Sequence, residues 1–223
     1  MSGTVIAVVG LAKEARIAKR AGLKPVIGGG DSHLLAERLE EAAPGAAAVI
    51  SFGIAGALAP LLRAGDAIVA THVVAGREHY ACDPAWSQIL RAKLANSRSA
   101  IVTGVDEVIF YIGMKKALFR NTGAHAVDME SHVAARFAEK RGLPFAVLRV
   151  ICDGAQRTLP PATLEPLKPN GKVRLFTVLK SVARDPGQIP ELVQTGGEAA
   201  KAFRALRRCS HLLGPGLGCP YLG

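Results

Sequence analysis

The stretch VDMESHVAARFAEKRGLPFAVLRVICDGA, residues 127–155, sets one carboxylate, Glu130, at the start of a helical pattern and another, Asp153, just past an apolar run. A carboxylate is an acceptor-only group with two oxygens, which suits a vicinal diol such as the ribose 2′ and 3′ hydroxyls. A second carboxylic acid, desolvated enough to hold its proton near neutral pH, can protonate a leaving group. The alternative is the ordinary use of acids at such places, with Glu130 complementing a helix dipole and Asp153 capping a turn. Three more runs have the composition of ligand sites. In VVGLAKEARIA, Gly10 ends an apolar run and Glu14 and Arg16 follow at a turn into a helix; Arg16 is either solvated or an anion clamp. In VIGGGDSH, the backbone N–H groups around Gly29 and Gly30 could cradle phosphate, although P-loop lysine and GxGxxG spacing are both missing. In VISFGIAGALAPLLRAGDAIVA, Gly53 and Gly56 permit either a tight turn or a close approach of backbone to ligand.

The elements that would position these residues follow from the pattern of the chain. Short β-rich runs alternate with helix-period segments, the signature of a mostly parallel sheet covered by helices. The pattern predicts strands at Thr4 to Gly10, Ala47 to Phe52, Ala67 to Ala75, Ser99 to Thr103, His125 to Asp128 and Phe145 to Cys152. Helices are expected at Lys13 to Ala21, Ser32 to Ala43, Pro84 to Ala95, Lys115 to Arg120 and Glu130 to Arg141, the last stopped by Gly142. Ligands of such sheets bind beyond the carboxyl ends of the strands, so Glu130 and Asp153 are expected on one rim. After Gly154 a proline-rich loop spans 156–172, and two helices are expected within 173–213, near Lys172 to Ala183 and Gly197 to Leu213. Residues 214–223 read as a frayed tail.

At 223 residues and 49% hydrophobic content the chain can bury one large core, and a single domain over 1–213 is expected. No apolar run reaches the ~18 to 20 residues of a bilayer span, and the N-terminus lacks a basic region, so a cytoplasmic location is expected. Cys82, Cys152, Cys209 and Cys219 have no CxxC spacing, which fits reduced thiols and implies neither metal nor disulfide framework. The formal charge is +10, and from Pro166 onward nine basic residues face three acids. Its sources are a solvated helix face, an anionic substrate, nucleic acid or a membrane surface. With 5% aromatics and no RNA-binding signature, nucleic acid ranks lowest.

FGIAGALAPLLRAGDAIV, VDMESHVAA and LPFAVLRVICDGA resemble, in consistent order over nearly residues 4–155, the purine nucleoside phosphorylase and uridine phosphorylase superfamily, especially its methylthioadenosine/adenosylhomocysteine nucleosidase branch. The GLAKEARIA opening and the GGG loop are most similar to the hopanoid-associated phosphorylases. The resemblance implies a single-domain three-layer α/β fold with a mixed, mostly parallel sheet. It implies removal of adenine from an adenine nucleoside such as adenosylhopane, with inorganic phosphate as co-substrate and no cofactor; the alternatives are hydrolysis by water, as in the nucleosidase branch, and a non-catalytic nucleoside- or lipid-binding relative. By position, Glu130 would bind the ribose hydroxyls with Met129 under the sugar, and Asp153 would protonate N7. Gly53, Ala55, Gly56, Val127 and Asp128 would form the base pocket. Arg16 matches a phosphate arginine of the phosphorylases, with Gly10, Gly29 and Gly30 beside it; the hydrolytic relatives place a glutamate in this turn, where Glu14 stands one position early. Another phosphate arginine falls at Ser51 and a serine at Ile54, so Arg77 or His79 would have to complete a phosphate site. The resemblance also implies a homo-oligomer, and a lipid-linked substrate would bring the basic 197–213 helix to a membrane surface, unless its apolar face packs on the protein.

Overall fold

Alternate side chains of the first strand serve two different helical layers. In β1 (Thr4–Val9), Val5, Ala7 and Val9 join one apolar core while Ile6 and Val8 join another, as a period of two requires of a strand covered on both faces. The computed structural model describes residues 3–160, 169–172, 187 and 189–222. Along these the order continues as α1 (Ala12–Arg20), β2 (Lys24–Ile27), α2 (Ser32–Ala42), β3 (Ala46–Ala57), β4 (Ala67–Ala75) and β5 (Glu78–Ala81). Then come α3 (Pro84–Lys93), β6 (Arg98–Gly104), α4 (Ile112–Thr122), β7 (Ala126–Asp128), α5 (Ser131–Arg141), β8 (Phe145–Asp153) and α6 (Ile189–Leu213).

The eight strands form one mixed sheet in the order β2-β1-β3-β7-β6-β4-β5, and β8 pairs with both β3 and β4. Strands β3, β7, β6, β4 and β8 therefore close into a ring. Most pairings are parallel; β3 with β7, β4 with β5 and β4 with β8 are antiparallel. Leu35 and Leu39 of α2 and Val133, Ala134 and Phe137 of α5 cover one face. Ile17 of α1, Trp86 and Leu90 of α3 and Leu206 and Leu213 of α6 cover the other.

Three expectations are corrected. Strand β3 does not end at Phe52 in a glycine turn; it runs on through Gly53 and Gly56 because β8 stays paired with it as far as Asp153. Residues 214–222 are not frayed: Pro215–Gly218 form a 3₁₀ turn, Leu217 is buried, the Trp86 indole N–H donates to Leu217 O at 3.0 Å, and the Tyr221 hydroxyl donates to Asp83 at 2.7 Å. Helix α6 begins at Ile189, eight positions before the expected start. Its apolar side, with Ala202, Ala205, Leu206, Cys209 and Leu213, is buried in the core, so packing on the protein prevails over insertion into a bilayer. Among the described residues no helix is long and apolar enough to cross a membrane. The helix expected near Lys172 to Ala183 lies, but for Lys172 itself, outside the described residues.

Candidate active site

Arg149 marks the centre of the site. It occupies the same side of β8 as the core residues Val147 and Ile151, where a cation with no solvent exposure needs compensating charge. Three carboxylates surround it. Asp128 at the end of β7 lies 2.9 Å from Arg149 Nε, Glu130 accepts from Nη2 at 3.3 Å, and Glu14 stands close enough to act on the same charge. Burial works against the guanidinium, and these acids outweigh it and raise its pKa. Nη2 also donates to Ser51 Oγ at 2.6 Å, and Ser51 in turn shares a 2.8 Å hydrogen bond with Ser131.

The entry to α5 explains why Glu130 is available. The helix dipole and its first N–H groups attract an acid, and Asp128 meets that need: its Oδ1 accepts from the N–H of Glu130 at 2.9 Å and of Ser131 at 2.7 Å, and its Oδ2 accepts from the Ser131 hydroxyl at 2.5 Å. The Asp128 side chain is thus committed to its own turn and to Arg149. The Glu130 side chain makes no capping bond and turns toward Gly10, where a Cβ would sit 2.4 Å from Oε1. Only glycine leaves that room. Burial pushes the Glu130 carboxyl up to about 8, with the charges of Asp128 and Glu14 adding to the rise and Arg149 opposing it.

Glu14 enters from α1. It accepts from the N–H groups of Gly10 at 2.9 Å, Leu11 at 2.8 Å and Ile54 at 2.7 Å, binding the end of β1 to β3. Gly53 passes so close that a Cβ would meet Glu14 Oε1 at 2.4 Å and Arg149 Nη1 at 2.8 Å. Burial raises the Glu14 carboxyl, against the pull of Arg149 and its backbone donors.

Asp153 closes β8, 4% exposed, and pairs in register with Gly56. Gly56 also pairs with Val127 across the antiparallel side, so Val127 and Asp153 flank it; Ala55 beside it is buried. Lys115, from the first turn of α4, reaches Asp153 Oδ2 at 2.5 Å and has no exposure. The Cys152 thiol, its pKa raised well above the ordinary value by burial and then by Asp153, donates to Oδ1 at 3.0 Å.

The expected phosphate residues do not converge. Arg16 is exposed and lines a groove between α1 and α6 with Lys13, Arg20, Phe203, Arg204 and Arg207, because Glu14 takes the inward-facing position of that helix turn. The loop at Gly29 and Gly30 has positive φ at both residues, but the N–H of Gly28 is spent on Val9 O and that of Gly29 on Gly10 O. The Gly10 N–H is spent on Glu14. Arg77 and His79 are exposed at the β4–β5 hairpin. The Gly30 loop does meet half-buried Met129, with a Gly30 Cβ position 3.7 Å from its Cε. Beside this loop opens a cavity of about 860 Å³ between α2 and α5, lined in part by Leu34, Val133, Arg136 and Phe137.

Arg149, Lys115 and Ser51 are the functional candidates that sequence reasoning assigned no role. Arg149 left one signal, a charge inside the otherwise apolar FAVLRVI. Ser51 left another, as the position where the resemblance places a phosphate arginine, and Lys115 left none.

A model of the phosphorylase superfamily matches residues 20–182. Among solved structures, that of the Helicobacter pylori MTAN mutant with 5′-methylthioadenosine in its active site is similar over 95% of this chain and 99% of that one, at 17% identity and a TM-score of 0.63. The 5′-methylthioadenosine/S-adenosylhomocysteine nucleosidase of Neisseria meningitidis, in complex with methylthio-immucillin-A, covers 93% of this chain and 97% of its own at 14% identity and a TM-score of 0.62. The futalosine hydrolase of Helicobacter pylori covers 91% and 97% at 16% identity and a TM-score of 0.59. At these identities the likeness establishes the fold. No curated protein matches the chain.

Proposed function

Because the chain belongs to the phosphorylase superfamily, we propose that it cleaves the N-glycosidic bond of an adenine nucleoside. The observation that carries this reading is a pair of buried acids at the ends of the two strands that flank β3: Glu130, released from helix capping by Asp128, and Asp153, set beside Gly56. Glu130 takes the ribose hydroxyls, with Met129 beneath the sugar. Asp153 delivers a proton to N7 of the purine, so that the base leaves as a neutral molecule while C1′ becomes cationic. The carboxylates around Arg149 stabilise that developing charge.

The charge of the pocket favours water as the acceptor. Arg149 is already engaged by Asp128 at 2.9 Å and by Glu130 at 3.3 Å, which leaves little of its charge to attract a phosphate dianion. Glu14 fits the role of general base. Its two oxygens offer about four lone-pair sites, the three backbone donors use three, and one remains for a water. Burial raises its pKa, which makes it a stronger base than a solvated carboxylate. Phosphorolysis is the second reading, favoured by one observation: with Glu130 held neutral up to about pH 8, Arg149 gains room to pair with an anion. For the 5′ substituent, the resemblance to hopanoid-associated phosphorylases and the 860 Å³ cavity beyond the loop that meets Met129 both support a bulky group, as in adenosylhopane.

The test is incubation with adenosine, methylthioadenosine and adenosylhopane, each with and without inorganic phosphate, followed by mass analysis of the sugar product. Free sugar at an unchanged rate without phosphate is the expected result. A sugar 1-phosphate formed only when phosphate is present selects phosphorolysis.

A further inference from the structure

A lysine in the first turn of a helix is normally a solvated surface residue, since the helix dipole opposes a cation there. Lys115 of α4 contradicts both expectations: it has no exposure, and its ammonium is fully engaged. Nζ lies 2.5 Å from Asp153 Oδ2 and donates to Gly154 O and Arg157 O, each at 3.0 Å. Three donors meet three acceptors, and both carbonyls belong to the loop that follows Asp153. Burying such a charge costs several kcal/mol unless it is paired this fully, so the fold spends stability to hold a proton donor against one carboxylate. Replacing both partners of such a pair by apolar residues is often neutral or stabilising, whereas removing one alone strands a buried charge.

We propose that Lys115 is the source of the proton that Asp153 passes to the purine, and that it acts through Asp153 as a positioning residue. This rests on the reading of Asp153 as the acid of N-glycosidic cleavage. In the resting pair the proton sits on Nζ and Asp153 is a carboxylate. As the C1′–N9 bond breaks, the bonding pair goes to the purine, a proton moves from Nζ to Asp153 Oδ2 and from Asp153 to N7, and Lys115 is left neutral. Ahead of the step the charges are one ammonium and one carboxylate; after it they are one carboxylate and the cationic ribosyl centre. When water then adds to C1′ it releases a proton, and that proton restores the ammonium, so hydrolysis consumes none. The other two hydrogen bonds of Nζ fix Gly154 and Arg157 and keep the Asp153 carboxyl aimed at the pocket.

The test compares wild type, Lys115→Met and Lys115→Arg on two substrates, an adenine nucleoside and 4-nitrophenyl β-D-riboside, in buffer containing phosphate. Nitrophenolate leaves without being protonated, so it does not need the relay. Lys115→Met is expected to lose ~10² to 10⁴ in kcat on the adenine nucleoside, the usual size of general-acid help, and to keep its rate on the nitrophenyl riboside, which also proves that the variant folds. Lys115→Arg is expected to stay slow on the nucleoside, because a guanidinium keeps the charge without releasing its proton. Equal losses on both substrates, or full recovery with arginine, would overturn the proton-source role while leaving the cleavage reading intact. Wild type inactive on both substrates would remove the cleavage reading itself, and this inference with it.

Discussion

Glu130→Gln should make the protein less sensitive to alkali. Burial raises the Glu130 carboxyl from 4.5 to about 8, so between these values the folded chain holds a proton that the unfolded chain has lost. Unfolding in that window releases a proton, and stability therefore falls as pH rises, by about 1.4 kcal/mol for each pH unit. Across the whole window the loss is about 5 kcal/mol, an upper figure because Glu14 and Asp128 share the same arginine. It is fully absent below pH 4.5 and complete above pH 8. Glutamine has nearly the same shape, accepts from Arg149 and does not titrate, so the variant lacks this slope. Urea unfolding from pH 5 to 9, followed by the fluorescence of Trp86, the sole and fully buried tryptophan, measures both proteins. The difference between variant and wild type should grow with pH in the variant's favour. A difference that is flat, or that grows toward acid, would refute the assignment of Glu130 as a buried acid held neutral.

Asp153→Asn should lower turnover by ~10² to 10⁴ while circular dichroism stays native, because asparagine still offers Lys115 an oxygen; near-normal turnover would end the role of Asp153 as the acid. Gly53→Ala would drive a Cβ to 2.4 Å from Glu14 Oε1 and 2.8 Å from Arg149 Nη1, so urea titration should find a loss of about 1 to 3 kcal/mol, with activity lost as well. Trp86→Phe removes the donor to Leu217 O at a cost of about 1 kcal/mol, and limited proteolysis should then cut the 214–222 segment sooner than in wild type.

Strands and helices with long apolar repeats were legible in the sequence, but the direction of β7 was not: it runs antiparallel to β3 while β8 runs parallel to it, so their carboxyl ends do not point the same way. Two strands were not legible. β2, KPVI, has four residues with a proline, and β5, EHYA, is a short sheet edge exposed at three of its four positions, so neither produces a pattern. The path of β3 through GIAGA was hidden because glycine in a strand looks like a turn. Its reason is visible only in three dimensions: Gly53 clears Glu14 and Arg149, and Gly56 clears Asp153. The start of α6 was masked by Gly196 and Gly197, which lie inside the helix. In the site, Glu130 and Asp153 stand out in the sequence as acids beside apolar runs, whereas the bonds of Asp128 to its own helix entry show only in three dimensions. Arg16 lies away from Glu14 for a periodic reason: two residues along a helix turn the side chain to nearly the opposite side, so Glu14 and Arg16 cannot both face the pocket. Lys115 was illegible because its partner is 38 residues away on another element.

The central claim is that Glu130 and Asp153 are the working acids of an adenine nucleoside-cleaving site. Chromatographic measurement of free adenine from adenosine, methylthioadenosine and adenosylhopane tests it most directly. Wild type should release adenine from at least one of them in a reaction that Asp153→Asn suppresses. Failure of the wild-type protein to release adenine from any of the three, with or without phosphate, would contradict the account.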